Sequence, residues 1–184
     1  MIELTLIGIG TGNPDHLTLQ AIKALNTCDL VLIPRKGASK ADLAELRRAI
    51  CAEAITNPAT RIAAFDLPVR DAANPDYRSG VADWHDAIAT VWKDTILAEI
   101  GTSGRVGLLV WGDPSLYDST LRIAERVAGV LPLSVRVVPG ITSLQVLTSP
   151  LGAGCATRAG PPERTPSPSC STGNVRSRPS LRKA

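Results

Sequence analysis

Short apolar runs alternate with helix-period segments through the first 148 residues, and this alternation constrains the fold more than any other feature of the chain. Continuous apolar runs bounded by Gly, Pro or Asn read as buried strands, and apolar residues at three- and four-residue spacing read as amphipathic helices. The pattern predicts strands over residues 4–9, 30–33, 61–67, 105–111 and 134–138. It predicts helices over 17–25, 40–55, 76–100 and 119–131, with another starting at Ile141. Pro34 closes the second strand. Ser39 is placed to cap the second helix, whose Leu43, Leu46, Ala49 and Ile50 share one side. In the third helix Trp84, Ile88, Val91, Trp92 and Ile96 face inward. Strands alternating with helices build parallel βαβ units. The expected class is therefore α/β, an open, mostly parallel sheet with helices on both faces.

At 184 residues, 44% of them hydrophobic, the chain can bury one good core. No apolar stretch is long enough to span a membrane. The N-terminus runs directly into a strand with no basic leader or cleavage site, which reads as cytoplasmic. Cys28, Cys51, Cys155 and Cys170 lack metal-ligand spacing, so reduced thiols are expected and no metal. The net charge of +3 is unevenly spread: six Lys/Arg and one Glu fall from Ser149 onward, against fourteen and sixteen before it. The body is slightly acidic and carries no nucleic-acid footprint. Residues 149–184 are rich in Pro, Ser, Gly and Arg, with no aromatic, Ile or Asp, and are expected to be a disordered basic tail. One reading makes it an arm for an acidic partner. Another makes it GC-rich coding DNA read out of frame, replacing the continuation of the domain.

Three loop motifs carry the chemistry. Trp111-Gly112-Asp113-Pro114-Ser115-Leu116-Tyr117 follows the fourth strand, where open α/β sheets bind ligands. Gly there admits a ligand close to the backbone, Pro fixes the turn, and Asp offers an acceptor. Gly8-Ile9-Gly10-Thr11-Gly12-Asn13-Pro14 follows the first strand and invites a dinucleotide reading. However, the third Gly of that fingerprint would fall on Asn13, and Pro34-Arg35-Lys36 stands where a ribose-binding acid belongs. An NADP site using Arg35 stays open on these grounds. Pro139-Gly140-Ile141-Thr142-Ser143 follows the fifth strand. His16 and His85 stand alone and read as capping or surface residues.

These three motifs, in this order and spacing, resemble the S-adenosylmethionine-dependent tetrapyrrole (precorrin) methylases. Residues 34–43 and 111–120 are most similar to the deacetylating members that act on precorrin-5. The resemblance covers residues 1–148, which it implies are the family's N-terminal α/β domain. It implies methyl transfer from S-adenosyl-L-methionine to C-1 of precorrin-5 with release of acetate, or action on another precorrin. It also implies a homodimer. By position, Thr11, Gly112, Asp113, Leu116, Thr142 and Ser143 would bind the cofactor, and Lys36 and Lys40 would meet substrate carboxylates. The catalytic residues are left unassigned. Members of the family continue into a second α/β domain, so the resemblance implies a C-terminally truncated chain of weak or no activity. A non-catalytic ligand-binding domain with a partner-binding tail is the reading from another class.

Overall fold

The computed structural model describes residues 1–35, 41–70 and 76–151. The elements run β1 (Ile2–Gly8), α1 (Leu19–Thr27), β2 (Leu30–Arg35), α2 (Ala41–Ala54), β3 (Arg61–Asp66), α3 (Tyr77–Ile100), β4 (Gly104–Val110), α4 (Thr120–Ala128), β5 (Leu133–Val138) and α5 (Ser143–Thr148). Single 3-10 turns occupy Pro14–His16 and Ser149–Leu151. Ser39, Lys36 and Lys40, the cysteines at 155 and 170, and the tail from residue 152 lie outside the described residues.

The sheet is wholly parallel in the order β3-β2-β4-β1-β5. Side chains alternate between its faces, and each face buries a separate core. On one, Ile2, Leu4, Leu6, Leu32, Val106 and Leu108 pack against Ile88, Trp92 and Ile96 of α3 and Ile123 and Val127 of α4. On the other, Ile7, Ile9, Val31, Ile33 and Leu109 pack against Leu25 of α1 and Ile50 and Cys51 of α2. Each such side chain, once withdrawn from water, contributes about 1.5–3 kcal/mol before conformational entropy is charged against it.

Every predicted strand and helix forms, with ends shifted by a few residues. Three local readings change. Pro34 lies within β2 and pairs with Phe65, because β4 flanks β2 only as far as Leu32. Beyond that point the strand has a neighbour on one side alone, and a missing N–H is tolerated there. On α2 the buried stripe is Ala44, Arg47, Ile50, Cys51 and Ala54, whereas Ala49 is exposed and Leu43 and Leu46 turn toward the carboxyl end of the sheet. His85 is buried rather than superficial, 4% exposed, with its ring 5.7 Å from that of Trp84.

Connections leaving β1 and β4 run to opposite sides. β1 leads across β4 to β2, and β4 leads across β1 to β5. Neighbouring strands whose connections diverge in this way leave a crevice at their carboxyl ends, the usual ligand position in open α/β sheets.

Candidate ligand-binding site

That crevice is built from backbone first. Gly10 and Gly112 form an isolated antiparallel bridge, and the Gly112 amide donates to the Gly10 carbonyl at 2.7 Å. The turn after β1 is thus pinned to the turn after β4 rather than free. Gly112 holds φ at 64°, a left-handed conformation that glycine adopts without steric cost. The ends of β1 and β5 meet so closely that a Cβ on Gly8 would lie 2.6 Å from the Gly140 nitrogen and 2.7 Å from the Gly112 oxygen. Glycine is required at this junction for contact between backbones.

Asp113 locks the arrangement. Its Oδ1 accepts the Ser115 amide at 2.8 Å, and its Oδ2 accepts the Gly140 amide at 3.0 Å. Thr11 Oγ1 lies 2.9 Å from His16 Nδ1, giving His16 a structural partner. Thr142 caps α5, with its amide and its hydroxyl both donating to Gln145 Oε1, at 2.7 and 3.0 Å.

Above this framework opens a cavity of about 440 Å³. Thr11, Gly112, Asp113, Leu116, Thr142 and Ser143 all line it, so the structure brings the six residues singled out from sequence to one place. Leu43 and Leu46 of α2, Trp111, Tyr117 and Leu144 add apolar wall. The leucines escaped the sequence reading because apolar positions on an amphipathic helix look like core. Tyr117 is fully exposed and is the one non-glycine residue with positive φ among those described, at 55°. Arg35, half-exposed, pairs with Asp66 at 2.9 Å.

The volume lies within the roughly 300–1,000 Å³ of small-molecule sites, and mostly apolar walls with a few convergent hydroxyls and amides suit a ligand with both a flat ring and a polar end. A parallel sheet with a glycine-built crevice at its switch point is the arrangement in which open α/β proteins hold small-molecule ligands. The chain belongs to the tetrapyrrole (corrin/porphyrin) methylase family, whose profile matches residues 3–160. A precorrin-6A synthase [deacetylating] from Sinorhizobium sp is 49% identical over 149 residues, covering 80% of this chain and 57% of that protein. A precorrin-2 C(20)-methyltransferase from Sinorhizobium sp is 29% identical, covering 85% and 58%. Among solved structures, a cobalamin synthesis related protein (CobF) from Corynebacterium diphtheriae is 40% identical with a TM-score of 0.66, covering 84% of this chain and 59% of that one. The uroporphyrin III C-methyl transferase of Thermus thermophilus shares the fold at 20% identity and a TM-score of 0.50, covering 85% and 55%. The chain spans a little over half the length of these relatives.

Proposed function

We propose that this chain provides the S-adenosyl-L-methionine-binding half of a cytoplasmic C-methyltransferase that converts precorrin-5 to precorrin-6A. Methylation at C-1 would be accompanied by release of acetate. The observation that carries the reading is the convergence of three separate loops, around Thr11, Asp113 and Thr142, on one 440 Å³ cavity. The 49% identity to a deacetylating precorrin-6A synthase supports the choice of substrate within the family.

The cavity's residues fit the cofactor. Leu43, Leu46, Trp111 and Leu116 offer a flat apolar wall for an adenine ring, and Thr11 and Ser143 offer hydroxyls for the ribose and amino-acid ends. When bound, the sulfonium supplies an electrophilic methyl group. The chain's part is to hold donor and acceptor in line and to exclude water, which can contribute several orders of magnitude in rate without an acid–base group. The glycine junction serves that end, since backbone locked by backbone moves little.

Isothermal titration with S-adenosyl-L-methionine tests the first half of the reading. Saturable binding that is lost in Gly112→Val, with no response to NADPH, is the expected result. NADPH binding without S-adenosyl-L-methionine binding would overturn it. For the second half, a methyl-labelled cofactor incubated with precorrin-5 should yield labelled tetrapyrrole and acetate. Labelling of precorrin-2 in preference would place the chain with the C(20) enzymes.

A further inference from the structure

A second, smaller cavity of about 150 Å³ lies beside the first and shares the Trp111 indole as a common wall. It opens at the carboxyl ends of β2, β3 and β4, beneath the start of α4. Its lining is mostly apolar, including Phe65, Leu67, Ile88 and Leu108, yet it includes Arg47. Arg47 is only 9% exposed. Among the described residues no carboxylate forms an ion pair with it. Its hydrogen bonds are long, 3.4 Å from Nε to the Leu109 carbonyl and 3.4 Å from Nη1 to the Leu43 carbonyl. It stacks 4.6 Å over the Trp111 ring. Burial pulls its pKa down to about 10, as expected for a cation short of compensation, with Asp118 opposing that pull from a distance.

Residues of the same lining carry further unpartnered donors. The indole nitrogens of Trp92 and Trp111, both residues of this lining, are buried without a partner. Ser119, at the N-cap of α4, makes no capping hydrogen bond through its side chain. A buried cation and unpaired donors each cost free energy until an acceptor is supplied.

We propose that this second cavity binds a short-chain carboxylate, with Arg47 as its anchor and Ser119 as a supporting donor. A guanidinium fork matches a planar carboxylate, and the apolar walls accept a short hydrocarbon stem. Asp118 lines the cavity as well, its Oδ1 accepting from the amide and the hydroxyl of Thr120. That standing negative charge favours a monoanion over a phosphate dianion. The carboxylate has two candidate sources, an acid arm of a tetrapyrrole or a free acid such as released acetate. Binding itself stands apart from the proposed function, and only the choice of source rests on it.

All three tryptophans of the chain, Trp84, Trp92 and Trp111, line this cavity, so intrinsic fluorescence reports on it directly. Sodium acetate titrated into the full chain at constant ionic strength should give a saturable change that sodium chloride does not. Arg47→Lys keeps a cation but loses the fork, and should weaken acetate by about tenfold or more. Should that variant fail to fold, Ser119→Ala, which removes no existing hydrogen bond, should weaken acetate several-fold at unchanged melting temperature. No saturable response in the wild type overturns the proposal. So does a response that Arg47→Lys leaves unaltered or, where Arg47→Lys does not fold, one that Ser119→Ala leaves unaltered. Calorimetry of acetate with and without saturating uroporphyrin separates the sources. Competition assigns the site to a macrocycle's arm, and undisturbed acetate binding assigns it to a free acid.

Discussion

Asp113 and Gly140, twenty-seven positions apart, are joined by a 3.0 Å hydrogen bond from the Gly140 amide to Oδ2. The second carboxylate oxygen takes the amide of Ser115. One side chain therefore sets both the shape of its own turn and the distance between the β4 and β5 loops. Asp113→Asn supplies one acceptor oxygen where two amides need one each. The expected loss is about 0.5–1.5 kcal/mol of stability, the net worth of one hydrogen bond whose donor water can partly reach. Weaker S-adenosyl-L-methionine binding should accompany it, read by denaturant melts and calorimetry on the same samples. Unchanged binding in a destabilised variant would limit Asp113 to the turn alone.

Tyr117 combines full exposure with a left-handed backbone at the mouth of the cavity. A non-glycine residue in that conformation costs roughly 1 kcal/mol. Tyr117→Gly should thus raise stability, by less than that amount because glycine also loosens the unfolded chain, while weakening binding of the proposed cofactor. A melting temperature that falls would show that the tyrosine is held by packing instead.

Cys28 and Cys51 are buried free thiols, pushed up to about 12 and about 11 by burial. In a Cys155→Ser, Cys170→Ser background, Ellman's reagent at pH 8 should find no reactive thiol in the folded chain and both after denaturation. Rapid reaction without denaturant would mean that the α1–α2 face opens locally.

Burial and the nearby Arg126 and Arg122 hold His85 below its ordinary pKa, against a smaller opposing effect of Asp86. The unfolded chain then binds a proton that the folded chain refuses. Stability is fully present above about pH 6.5, the unfolded value, and falls as pH drops from there toward the lowered folded value. Melting temperature against pH should show this decline, and His85→Gln should remove that component.

The strands, the helices and the three loop motifs were legible in the sequence because each depends on local chemistry. Apolar runs make buried strands, and Gly with Pro marks a turn wherever it occurs. What escaped depends on neighbours remote in sequence. Arg47 occupies a core position of α2, and nothing local distinguishes it from a solvated arginine until β4 and Trp111 close over it. Leu43 and Leu46 have the spacing of core residues but face a cavity that other elements complete. Pro34 looked like a strand end because its tolerance comes from how far β4 extends, which only the pairing register reveals.

The order of the sheet has a consequence for how the chain comes into being. β1 lies between β4 and β5, with Ile2 opposite Gly104 on one side and Leu133 on the other. Its Ile2, Leu4, Leu6 and Ile7 are wholly buried once paired. At about 5–20 residues per second, the first partner strand leaves the ribosome roughly 5–20 seconds after β1 does. Through that interval β1 is an apolar segment without its neighbours, and a chaperone has time to hold it. The glycine junction, which needs β1, β4 and β5 together, is completed only after the last of them arrives.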